Sequence, residues 1–222
     1  MSRVVFDIET LGLPPESFDE TQRDYLLKSA QSDEERKEAI QKFSLHPATA
    51  QIAAVGLYNP DTGKGKVLFQ ADQKLDYYSA DDSVHFVSAS ESGILSEFWK
   101  DIAYYNQFVT FNGRGFDCPF LMFRSAVLQV QPTRNLLPNR YEPSLHCDLL
   151  EQFTFYGAIR KFNLDFYCRV FGVDSPKAQG VSGGDVARLF EEKRYKEIAD
   201  YCVRDLKATS ELFRAWETYL KV

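Results

Sequence analysis

The sequence predicts an α/β protein in which one mixed sheet of five to six strands is flanked by helices. Three observations predict it. The early strand-patterned segments include two joined by a turn-rich link, strand and helix periodicities alternate after about residue 88, and no linker, repeat or low-complexity tract divides the 222 residues. A chain of this length can bury one substantial core, so a single domain over residues 1–222 is expected.

The first strand is Arg3–Thr10, where Val4, Phe6 and Ile8 fall on one face and Val5, Asp7 and Glu9 on the other, the period-two alternation of extended chain. A long polar stretch follows. Within it Ser17-x-x-Glu20 and Ser32-x-x-Glu35 match the capping-box pattern ahead of helical stretches ending near Ser29 and Phe43, so a helical insertion is expected at about 14–47. Strands are expected again at Gln51–Tyr58 and Lys66–Ala71, and the turn formers of Asn59–Gly65 between them make an antiparallel hairpin. Ser88-x-x-Glu91 opens a helix through about Asn106, in which Ile94, Leu95, Phe98, Ile102 and Tyr105 form one apolar stripe. Next come a strand at Gln107–Phe111, a helical stretch from Asp117 and a proline-containing loop at Gln131–Pro143. A short strand around His146–Leu149 follows, and a last helix runs from about Lys193 to Tyr219.

Composition narrows the function. No run of about 18 apolar residues spans a bilayer, and the apolar start Val4-Val5-Phe6 is broken at Asp7, so neither a membrane helix nor a signal peptide is expected and the cytoplasm is the expected location. The four cysteines lack CxxC spacing and read as reduced packing residues, while His46, His85 and His146 share no ligand spacing. Net charge is −6, but it is uneven: residues 1–99 carry −8, 100–180 carry +2 and 181–222 carry 0. Tight non-specific duplex binding is not expected of such a chain, whereas a narrow site gripping a few nucleotides is compatible with it.

Three segments carry candidate chemistry. In Phe6-Asp7-Ile8-Glu9-Thr10 two acids project from one strand face, a placement that suits hard divalent cations and equally a solvated face. In Asn112-Gly113-Arg114-Gly115-Phe116-Asp117 an acid stands after a strand and two glycines, as a metal ligand or as the N-cap of the next helix. In the last helix Tyr201 and Asp205 share one face at i, i+4, again with a bland alternative in which the tyrosine edges the core and the acid pairs with a neighbouring cation.

In this order and context the three segments resemble the motifs of the DEDD superfamily of 3′→5′ exonucleases, in the branch with tyrosine in the third motif (DEDDy). Phe116-Asp117-Cys118-Pro119-Phe120-Leu121 and Tyr201-Cys202-Val203-Arg204-Asp205 look most like the proofreading exonuclease domain of family B DNA polymerases. The resemblance spans nearly the whole chain and fades across Pro14–Phe43. It implies a ribonuclease H-like fold and two divalent ions, Mg²⁺ or Mn²⁺, held by Asp7, Glu9, Asp117 and Asp205, with Asp7 bridging both. Tyr201 would aim the attacking water, because a phenol titrating near 10 is a poor base at neutral pH. Thr10, Leu11 and Asn112 would hold the terminal nucleotide. The implied activity is hydrolysis at 3′ ends of single-stranded nucleic acid, DNA favoured over RNA, releasing nucleoside 5′-monophosphates. The alternatives are an exoribonuclease resembling ribonuclease D and a catalytically silent nucleic-acid-binding domain.

Overall fold

The structure is a computed structural model and describes residues 2–180 and 183–221. Seven strands form one mixed sheet: β1 (Arg3–Gly12), β2 (Ala50–Asn59), β3 (Lys64–Phe69), β4 (Asp76–Tyr78), β5 (Val84–Ser88), β6 (Gln107–Thr110) and β7 (His146–Asp148), in the spatial order β4-β5-β3-β2-β1-β6-β7. The expected hairpin is present, since β2 runs antiparallel to both β1 and β3, while β6 and β7 continue from β1 in parallel. The count exceeds the expected five to six because β4 and β5 form an edge that the sequence hides. They are only 3 and 5 residues long and flank the polar turn Ser79–Ser83, so alternation has no room to show.

The helices are α1 (Glu20–Leu27), α2 (Asp33–Gln41), α3 (Glu91–Ile102), α4 (Asp117–Val127), α5 (Leu149–Phe153), α6 (Leu164–Phe171), α7 (Val186–Glu191) and α8 (Tyr195–Tyr219). Two starts differ from expectation. Helix α1 is capped by Asp19, in a reciprocal capping box with Gln22, and not by Ser17, which closes a short 3₁₀ turn. Helix α3 is capped by Ser90, because Ser88 is already the end of β5. Ser32 does cap α2, accepting from the Glu35 amide at 3.2 Å.

Alternation along β1 sorts the core into two layers. Val4, Phe6 and Ile8 pack with Ile52, Phe98 and Leu121 toward α3 and α4, whereas Val5 packs with Ala54, Leu206 and Phe213 toward α8. Asp7 and Glu9 therefore project on the α8 side. The α3/α4 layer is pinned by an ion pair that no local pattern announces: buried Glu91 accepts from Arg124 at 2.7 and 2.8 Å and from the Ile52 amide at 2.8 Å. Paired and hydrogen-bonded on several sides, these charges escape the penalty of isolated burial. Among the described residues no helix is long and apolar enough to cross a membrane.

Candidate active site

The site begins where β1 loses regular pairing. A register shift between Glu9 and Thr10 interrupts the β1–β2 ladder directly after the two acids, the kind of irregularity that re-aims side chains. Asp7 lies opposite Gly56 of β2. A Cβ at position 56 would meet Leu206 Cδ1 at 2.4 Å and Cys202 Sγ at 2.8 Å, so the bare glycine is what lets α8 lie against the sheet here. The close approach brings Cys202 Sγ to 3.9 Å from the Asp7 carbonyl, and Tyr201 and Asp205, on the same helix, are buried.

Asp117 joins from the other side. Its Oδ1 accepts from the backbone amide of Ile8 at 3.0 Å, the residue between Asp7 and Glu9. Phe116, not Asp117, occupies the N-cap position of α4 and makes no side-chain cap bond, so the capping role open to Asp117 in the sequence is not taken. The preceding loop is tightly folded: Asn112 has φ 63°, and a Cβ on Gly113 would stand 2.4 Å from Thr110 Oγ1. Asp148 holds this loop in place. Its carboxylate accepts from the amides of Asn112 and Arg114, both at 2.9 Å, and of Leu150 at 3.0 Å. Asp148 is thus a structural acceptor for the loop, a role that no sequence spacing could give because β6 and β7 meet only in the folded sheet.

Electrostatics follow from this crowding. Burial first, then repulsion from Asp117, Asp205 and Glu9, pushes the Asp7 carboxyl well above the usual range, and burial followed by Asp205 and Asp117 does the same to Glu9. Burial likewise pushes Asp117 and Asp205 up to about 7 each, against the opposing hydrogen bonds to the Asp117 and Ile8 amides in one case and to Tyr201 in the other. Arg204 and Lys177 also favour the ionised form of Asp205. The Tyr201 phenol is raised by burial and by these acids, so it keeps its proton at neutral pH. Glu9 Oε1 is buried with no hydrogen-bond partner among the described residues.

This donor set fits a hard divalent cation. Oxygen atoms dominate it, the acids repel one another in the absence of positive charge, and an orphaned carboxylate oxygen points to a missing partner. Ligand atoms of Asp7, Glu9 and Cys202 lie within 4.8 Å of one another. Burial holds the Cys202 thiol well above its usual range, so it stays neutral, and soft sulfur suits such an ion poorly. We assign it to packing against Gly56. The residues expected to contact a nucleotide divide between two cavities. Thr10 and Leu11 line one of about 610 Å³ with Ile40 and Phe190, while Asn112 lines another of about 370 Å³. Thr10 also donates its hydroxyl to the Ser44 carbonyl at 2.7 Å, tying the segment after α2 to β1 beside the acids.

Comparison with known proteins adds three findings. Residues 68–219 match the profile of a family described as a predicted 3′-5′ exonuclease related to the exonuclease domain of PolB, a range that includes Asn112–Asp117 and Tyr201–Asp205 and begins after Asp7 and Glu9. No curated protein sequence matches the chain. Among solved structures, the family B DNA polymerase from the hyperthermophilic archaeon Pyrobaculum calidifontis is similar over 97% of this chain and 24% of that one, with a TM-score of 0.60 and 17% identity. The chain thus spans about a quarter of that polymerase's length, and the likeness bears out the expected α/β, ribonuclease H-like fold.

Proposed function

Because this chain belongs to the family of predicted 3′-5′ exonucleases related to the exonuclease domain of PolB, we propose that it hydrolyses the last phosphodiester bond at 3′ ends of single-stranded nucleic acid. DNA is the favoured substrate, nucleoside 5′-monophosphates are the products, and the cytoplasm is the setting. Residues 1–222 act as one exonuclease domain carrying a helical insertion at about 14–47. One observation carries the reading: Asp117 reaches the Ile8 amide between Asp7 and Glu9, so acids far apart in sequence converge on one strand, with α8 laid against it at Gly56.

In this reading Asp7, Glu9, Asp117 and Asp205 would hold two divalent ions, Mg²⁺ or Mn²⁺. Such ions, when bound, supply an activated water and charge neutralisation at the leaving 3′ oxygen. The chain supplies the rest. Tyr201, protonated and hydrogen-bonded to Asp205, orients the attacking water without acting as a base. Thr10 and Leu11, which line one cavity, and Asn112, which lines the other, hold the terminal nucleotide.

The test is a time course on 5′-labelled single strands of DNA and RNA of one sequence, with Mn²⁺. The label should move down one nucleotide at a time from the 3′ end, faster on DNA, and Asp7→Asn should stop it. Intact strands of both kinds would leave a silent nucleic-acid-binding domain, and faster loss of RNA would reverse the substrate preference.

A further inference from the structure

Between Arg140 and Phe171 the chain turns aromatic rings toward solvent where an α/β core would bury them. Tyr141 is 65% exposed, Phe155 58% and Phe166 43%. Phe155 and Tyr156 both hold left-handed φ, 50° and 57°, a conformation costly for residues with a Cβ, yet the ring of Phe155 stays outside the core. Tyr156 turns toward Tyr141, ring centroids 4.8 Å apart, and Phe162 stacks on Phe166 at 4.1 Å.

Cations are interleaved with these rings. Arg140 lies 5.9 Å from the centre of the Tyr141 ring and Arg160 5.0 Å from that of Phe162, and Arg160 and Lys161 are both exposed. Arg140 and Lys161 line, together with Asn112 and Arg114, the cavity of about 370 Å³ beside the candidate site. Two acids share that lining and both are engaged: Asp148 by three amides, Glu151 by Arg140 at 2.5 Å and by Arg114 at 3.6 Å. Lys161 enters no ion pair among the described residues. The strip of rings and cations thus meets the Asn112 loop at this shared cavity.

Exposed rings match the open faces of unpaired bases, and interleaved cations match the phosphates between them. A duplex offers the second feature and not the first. We propose that this strip is a platform for single-stranded nucleic acid, holding the nucleotides on the 5′ side of the terminal one so that affinity grows with strand length. The proposal rests on the exonuclease reading for where the 3′ end sits. Its test reads binding, so the two can fail separately.

The experiment is fluorescence anisotropy in EDTA with 5′-labelled oligothymidylates of about 4 and about 16 nucleotides, the range of known single-strand site sizes. The wild type should bind the longer strand at least about tenfold more tightly, the gain expected from one stacked base. Tyr141→Ala/Phe166→Ala should remove most of that ratio. Arg160→Ala/Lys161→Ala should lower the slope of log affinity against log salt by about 1.4, roughly 0.7 for each lost phosphate contact. Equal wild-type affinity for both lengths, or variants that keep the wild-type ratio and slope, would overturn the platform. Failure of the wild type to degrade either strand with Mn²⁺ would sink the exonuclease reading instead, and the binding ratio would still judge the strip.

Discussion

Replacing Gly56 by alanine puts one methyl group where α8 touches the sheet, and its consequences can be worked out from the contact. The new Cβ would lie 2.4 Å from Leu206 Cδ1 and 2.8 Å from Cys202 Sγ, so one side must give by about 1 Å to reach ordinary contact at 3.4 Å. Neither neighbour can swing into open space, because Leu206 is 1% and Cys202 0% exposed. Overpacking of this kind costs about 1–3 kcal/mol, which for a chain of this size lowers the melting temperature by roughly 2–12 °C. The same shift carries Asp205 away from Asp7, which faces position 56 on β1. A misplacement of about 1 Å in a catalytic constellation costs about 100-fold in rate. Thermal melts and Mn²⁺-dependent nucleotide release from a short single strand, measured on Gly56→Ala, read the two effects separately. A variant that melts lower but keeps its full rate would show that this contact supports packing alone, and one unchanged in both would refute the reasoning outright.

Three further predictions follow from the site's surroundings. Asp117 and Asp205 are pushed up to about 7 from an ordinary value of 3.8, so the native state binds more protons than the unfolded chain between those values. The metal-free protein should therefore lose stability as pH rises from about 4 to about 7, and Mn²⁺ should erase most of that loss; a melting temperature in EDTA that climbs over this window would contradict the arrangement. Tyr201→Phe removes the hydroxyl bonded to Asp205 and should lower kcat by about 10- to 100-fold with the metal requirement unchanged, so an unaltered kcat would rule out a positioning role. Asp148→Asn replaces an acceptor oxygen by a donor against the amides of the Asn112 loop and should cost about 1–3 kcal/mol while raising KM; a wild-type melting curve would show that the loop holds itself.

Much of this was legible in the sequence because it is local. The alternation of Val4 to Glu9 fixes which face of β1 carries the acids, and the i, i+4 pair Tyr201 and Asp205 fixes their common side of α8. What escaped depends on partners brought in by folding. Asp117 had a local use as a cap and a distant one at the Ile8 amide, 109 residues away, and the distant one prevails. Gly56 reads as an unremarked glycine inside a strand until α8 lies on it, and Asp148 reads as one more acid until β7 pairs with β6. The capping errors have a simpler origin. Ser17 stands two residues before Asp19 and Ser88 two before Ser90, and the turn before Asp19 and the end of β5, not the Ser-x-x-Glu spacing, decide which residue caps each helix.

The most direct measurement is anomalous diffraction from a crystal of the protein soaked in Mn²⁺. Manganese peaks should lie among the carboxylates of Asp7, Glu9, Asp117 and Asp205, with at least one lost in Asp117→Asn. Manganese absent from that cluster under conditions that support hydrolysis, or found only beside Asp148 and Glu151, would contradict the assignment of these acids to metal.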